Sequence, residues 1–155
     1  MNRYLKLALC ITLPLLVGGI SGYATATSIN TWYITLSKPF FNPPNYLFGP
    51  VWTALYILMG ISFYRILQSR ESEIRTKAII IFCIQLILNF CWSFLFFNFQ
   101  LLDISFIEII MMWISIATMI YIFSIVDKTA AYLQIPYLLW VSFASVLNGA
   151  IWYLN

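Results

Sequence analysis

The chain has 155 residues, of which 63% are hydrophobic and only 8% charged, and its net charge is +3. Soluble domains carry about a quarter charged residues, and a chain of this size cannot hide so much apolar surface from water, so lipid is the solvent for most of it. The basic residues build no basic face or groove-reading motif, which argues against nucleic acid as a partner. The absence of histidine removes His-based triads, His metal ligation and a His haem ligand, so no metal site is expected.

A membrane-spanning helix needs about 20 mostly apolar residues, and the sequence offers five such runs. The first is predicted over 5–26, after Arg3 and beside Lys6. Its basic start and Ala24-Thr25-Ala26 also resemble a cleaved signal peptide, but the apolar run is longer than a signal core. Gly18, Gly22 and Ala26 repeat at four-residue spacing, which predicts a small-residue face for close helix packing. Pro14 is a candidate kink that neighbouring helices can accommodate.

Residues 27–44 follow, with Pro39, Pro43 and Pro44. Proline fixes φ and removes a donor, so this stretch reads as an ordered lid rather than a floppy linker. The second helix is predicted over 45–67, the third over 78–97, the fourth over 103–126 with Asp103 as its cap, and the fifth over 131–154. Glu108, one turn into the fourth helix, is expected to snorkel to the headgroups. Lys38 reads as a solvated lid charge. Cys10, Cys83 and Cys91 lie in apolar runs and are expected as buried free thiols.

The predicted fold class is therefore an all-α integral membrane protein: a single domain, 1–155, built as a bundle of five transmembrane helices with a structured first loop as lid. Seven of the eight Lys and Arg residues fall on the N-terminal side of the spans and only Lys38 on the other. The positive-inside tendency then puts the N-terminus in the cytoplasm, with the lid and the C-terminus outside. Five unrepeated spans do not suit an inverted-repeat transporter.

Helical spacing gathers Trp52, Tyr56, Met59 and Phe63 on one stripe of the second helix, and Gln85, Asn89, Trp92 and Phe96 on one stripe of the third. On the fifth, Tyr137, Trp140, Ala144 and Asn148 share a face. Polar groups at membrane depth face the bundle interior. Converging stripes would form an aromatic cavity with a few amide and hydroxyl handles, closed by Trp32 and Tyr33 and suited to a large, flat, mostly apolar ligand. Two plainer readings weigh against this one. The tryptophans and tyrosines serve equally well as interfacial anchors, and Gln85, Asn89 and Asn148 as glue between helices.

Four motifs carry a family resemblance. They are W-Y-x-x-L-x-K-P-x-F-x-P-P (Trp32 to Pro44), F-G-P-V-W-T-x-L-Y-x-L-M-G (Phe48 to Gly60), Q-L-x-L-N-x-x-W-S-x-x-F-F (Gln85 to Phe97) and P-Y-L-L-W-V-S-F-A-S-V-L-N (Pro136 to Asn148). In this order and at this spacing the chain resembles the tryptophan-rich sensory protein family, also called the translocator protein family.

The resemblance implies a five-helix bundle that commonly forms a homodimer. It also implies a pocket for porphyrins and benzodiazepine-site ligands beneath the first loop. The matching pocket positions are Trp52, Tyr56, Asn89, Trp92, Trp140, Ala144 and Leu147, under the Trp32 and Tyr33 lid and beside Asn148. It implies as well a link to tetrapyrrole regulation and stress. Light-dependent protoporphyrin degradation is implied too, with Trp52 and Trp140 as the catalytic tryptophans and the porphyrin as ligand or substrate rather than a covalently bound cofactor. Transport of tetrapyrroles or lipids, or a sensory role without turnover, is the alternative. Mitochondrial relatives bind cholesterol through a segment ending in a basic residue; no Lys or Arg follows Leu147 here. The expected location is a bacterial plasma membrane, with membrane lipid as a further partner.

Overall fold

The first helix begins where Asn2 Oδ1 accepts the Tyr4 amide at 3.0 Å, satisfying one of the free N–H groups at a helix start. The computed structural model describes residues 1–155 and is all-helical. Its helices are α1 (Arg3–Asn30), α2 (Asn45–Gln68), α3 (Glu73–Ser93), α4 (Leu102–Val126), α5 (Lys128–Leu133) and α6 (Ile135–Leu154). α3 runs on through a π-helical turn, Phe94–Asn98, and α5 with α6 forms one crossing, so five stretches are long and apolar enough to span a membrane.

α1 outlasts its predicted end at 26. Its polar tail turns inward on its own backbone: Thr25 Oγ1 donates to the Ser21 carbonyl at 2.8 Å and Thr31 Oγ1 to that of Thr27 at 2.8 Å. Such back-bonding gives each hydroxyl a partner without breaking the backbone ladder, so the polar stretch is accommodated within the helix. The lid therefore starts at Thr31, not at residue 27, with one short 3₁₀ turn at Tyr33–Thr35.

Three other helix ends differ from expectation. α3 starts at Glu73, five residues early, because Ser72 caps it by accepting the Arg75 amide at 3.2 Å. Arg75 then reaches back to the end of α2, donating to the Ile66 and Leu67 carbonyls at 3.2 and 2.9 Å. A cation at a helix C-terminus also complements the helix dipole. Asp103 is not the cap of α4. It lies inside the first turn, Leu101 precedes the helix without a side-chain bond, and Gln100 makes the corner at φ 57°. The predicted fifth helix is two pieces meeting at Gln134, because Pro136 has no N–H to offer the Tyr132 carbonyl. Asp127 caps the first piece, accepting the Ala130 amide at 3.0 Å and pairing with Arg65 at 2.9 Å.

The helices form a ring in which α1 packs on α2, α2 on α5, α5 and α6 on α4, α4 on α3, and α3 with its π turn back on α1. The lower half of the ring is filled by fully buried Met59, Ile66, Phe82, Ile116, Met119 and Phe123. Phe63 and Phe82 stack there at 4.1 Å and 6°.

The close α1–α2 approach is made by Gly60, which closes the second motif but was given no packing role in the sequence. A Cβ there would collide with the backbone of Cys10 and Ile11. Of the predicted small-residue face, Gly18 meets the Tyr56 ring, whereas a Cβ at Gly22 would meet nothing within 4 Å and Ala26 is exposed. Only Cys10 is buried; Cys83 and Cys91 face outward from α3. Glu108 does not snorkel. Its residue is 8% exposed, and both carboxylate oxygens are buried without a hydrogen-bond partner.

Candidate functional site

The upper half of the ring is not filled. A cavity of about 390 Å³ lies between α1, α2, the end of α3 and α6, beneath Tyr33. That volume falls within the usual range of about 300–1,000 Å³ for ligand sites. Trp52 and Tyr56 come from α2, Trp92 from α3, and Trp140, Ala144, Leu147 and Asn148 from α6. Eight of the ten residues singled out as ligand-binding thus line one space, which is what converging stripes at helical spacing require.

The aromatic walls are set by mutual packing. Trp52 stacks on Tyr56 at 5.5 Å and 25° and meets Trp140 edge-on at 6.5 Å and 89°. Trp92 is held from behind. Its Nε1 donates to Asn148 Oδ1 at 3.0 Å, and Asn148 Nδ2 donates to the Leu102 carbonyl at 3.3 Å. The Asn148 amide is thereby committed to fixing a wall and the start of α4.

Two of the ten lie elsewhere. Asn89 is buried behind Tyr56 rather than in the cavity wall, accepting the Tyr56 hydroxyl at 2.8 Å and donating to the Tyr137 hydroxyl at 2.9 Å. Trp32 packs edge-on against Phe96 at 5.8 Å, on the lid but outside the lining.

Sequence reading missed the α1 wall, where Gly18, Gly19, Ser21, Gly22 and Thr25 line the space. The small-residue repeat was the available signal, and the structure turns two of its three members, Gly18 and Gly22, toward the cavity. Gly19, Gly22, Gly49 and Thr53 both line the cavity and are exposed on the outside of the bundle. The space therefore opens sideways between α1 and α2, through a seam with no side chain larger than threonine.

No Asp, Glu, Lys or Arg lines the cavity. Thr25 and Ser21 spend their hydroxyl protons on α1 carbonyls. Trp140 Nε1 is buried without a partner. At the top, the Tyr33 hydroxyl donates to Asn42 Oδ1 at 2.8 Å, and burial pushes its phenol up to about 12, so it stays neutral. Lys38 is not a free lid charge. Its Nζ sits 4.7 Å from the centre of the Tyr33 ring and donates to the Leu36 carbonyl at 3.2 Å, a cation–π contact that stiffens the lid.

Residues 10–154 match the family model described as the TspO/MBR family. The chain belongs to the TspO/MBR family. It is 42% identical to the tryptophan-rich protein TspO of Chlorobaculum tepidum, over 99% of this chain and 98% of that protein. It is 44% identical to the protein of the same name from Archaeoglobus fulgidus, over 97% of each. The human translocator protein is 31% identical over 78% of this chain and 73% of its own length. The bundle is thus a membrane protein with the five-helix architecture expected of the TspO/MBR family, and the motifs that carry the resemblance supply the cavity walls on α2, α3 and α6.

Proposed function

We propose that the cavity binds a flat, mostly apolar ligand of the tetrapyrrole class, with protoporphyrin as the representative. The observation that carries this reading is the pair Trp52 and Trp140, which set two indole faces at right angles on a cavity without a charged lining residue. Flat aromatic walls favour a flat π-surface by stacking. A lining without ionised groups favours an apolar ring body, leaving acidic substituents outside, because an unpaired buried carboxylate is costly. Membership of the TspO/MBR family supports the same reading, as does the resemblance of the lid and wall motifs. Synthetic benzodiazepine-site ligands fit the same description.

A second reading, light-dependent degradation of the bound porphyrin, is favoured by the same two indoles, since both line the cavity. The protein would supply position and exclusion of solvent, and the pigment the reactivity. The membrane is proposed to be a bacterial plasma membrane with the lid outside, in keeping with the placement of basic residues, and a second copy of the chain is the proposed protein partner.

Titration of detergent-purified protein with protoporphyrin in the dark tests the binding. Saturable binding that weakens at least tenfold in Trp52→Phe/Trp140→Phe is expected, and unchanged affinity in that variant overturns the assignment. Illumination of the same samples decides the second reading. A defined product that forms only with both tryptophans present supports turnover, and equal bleaching in both proteins rejects it.

A further inference from the structure

The lid, Thr31–Pro44, is tied to the helices beneath it by few polar contacts. The Tyr33–Asn42 bond, the Lys38 contacts and the Thr35 hydroxyl bond to Trp32 all lie within the lid and move with it. Its backbone bonds are likewise local. Two hydrogen bonds alone join it to an element distant in sequence, and one side chain makes both. Asn155, just past α6, accepts the Ser37 amide on Oδ1 at 3.0 Å and donates from Nδ2 to the Ser37 carbonyl at 2.8 Å. The same Nδ2 also donates to the Ile151 carbonyl at 2.8 Å, which fixes the side chain in place.

The amide of Asn155 thus copies the two-bond pairing that neighbouring strands exchange at one residue. Below this point Tyr33 of the lid packs in a small apolar cluster with Phe96, Leu147 and Ile151, and all four line the cavity. Solvent reaches the Asn155–Ser37 pair, so each bond exchanges readily with water and contributes modestly. That is the property of a reversible fastening.

We propose that Asn155 is the latch of the lid, and that its pairing with the Ser37 backbone sets how often the cavity opens to the aqueous side. This rests on the proposed ligand-binding role only for its biological meaning; the latch itself is a property of the lid. A latch that acts alike with the cavity empty or filled changes the rates of arrival and departure by one common factor and leaves the equilibrium between them unchanged.

The test places a reporter cysteine in the cavity wall, Ala144→Cys, in nanodiscs that expose both faces. Its modification by a charged, membrane-impermeant thiol reagent is followed by mass spectrometry of the peptide containing position 144. Adding Asn155→Ala is expected to speed modification roughly 3- to 30-fold, the loss expected for two exposed hydrogen bonds. Adding Ser37→Ala is expected to leave the rate unchanged, because only the Ser37 backbone takes part. Equal rates with and without Asn155→Ala overturn the proposal, and so does acceleration by Ser37→Ala.

Stopped-flow mixing with protoporphyrin, without the reporter, should show, for ligand that exchanges past the lid rather than through the α1–α2 seam, association and dissociation both faster by a similar factor in Asn155→Ala and a constant Kd. A rise in dissociation alone overturns the gating role. If the thiol result holds while wild type binds no porphyrin, the latch stands and the ligand assignment falls.

Discussion

The Tyr56 hydroxyl and the Asn89 amide, 33 positions apart in the chain, meet at 2.8 Å behind the cavity wall, where neither is reached by solvent. Asn89 passes the interaction on to Tyr137, whose hydroxyl in turn lies 3.8 Å from the Met112 sulfur. One amide therefore holds two tyrosines from two other helices, and Trp52 rests against both rings. Asn89→Leu leaves two buried phenols without this partner, at about 1–3 kcal/mol for each orphaned group. The expected outcome is a lower midpoint of thermal unfolding in detergent, together with weaker ligand binding through a displaced Trp52. A midpoint equal to wild type would remove Asn89 from the support of the site.

Glycines at different places on α1 and α2 separate by what surrounds them. Gly60→Ala drives a methyl group into the α1 backbone and should destabilise the bundle by about 1–3 kcal/mol. Gly22→Ala meets nothing and should be neutral or stabilising by up to about 1 kcal/mol, since alanine is the better helix former. Parallel melting curves of the two variants check the contrast; similar losses in both would show that the α1–α2 distance is not set at Gly60.

Asp127 gives the protein an acid-sensitive joint. Burial by itself raises its pKa, but the Ala130 and Thr129 amides and the Arg65 guanidinium outweigh it and hold the carboxyl below the usual range. A lowered folded value means stability that is present above the ordinary Asp pKa of about 3.9 and is lost as pH falls through the folded value. Asp127→Ala removes the cap of α5 and its half-exposed ion pair, together about 1–2 kcal/mol. Stability measured against pH should show a smaller acid-induced loss in this variant than in wild type, and parallel curves would contradict the assignment.

Glu108 is buried on α4 with neither oxygen partnered. Glu108→Gln keeps its shape and removes the cost of withholding a carboxylate from water. Thermal stability equal to or above that of wild type is expected, and a loss of more than about 2 kcal/mol would mean that the carboxyl has a partner of its own.

The spans were legible because apolar runs of about 20 residues have few alternatives, and the aromatic walls because i, i+4 spacing holds on any helix. Helix ends were harder. Hydropathy sees the loss of apolar character after Ala26 but not hydroxyls bonding back to the helix, and it sees no break at Gln134, where Pro136 interrupts one bond. Depth behind a wall is invisible in one dimension. Asn89 lies on the same stripe as Trp92, yet one lines the cavity and the other holds a wall residue from behind. The latch could not be read at all, since nothing in the residues near 37 points to residue 155.

The sideways opening at Gly19, Gly22, Gly49 and Thr53 has a bearing on what affinity means for this protein. Under the proposed binding role, a space open to the hydrocarbon phase would take up acyl chains or detergent tails, and binding would be a displacement reaction. The governing concentration is then the mole fraction of ligand dissolved in the bilayer, not its molarity in water. Dissociation constants taken in different detergents or lipid mixtures will differ by the partition coefficient of the ligand, and only values normalised to the amphiphile can be compared.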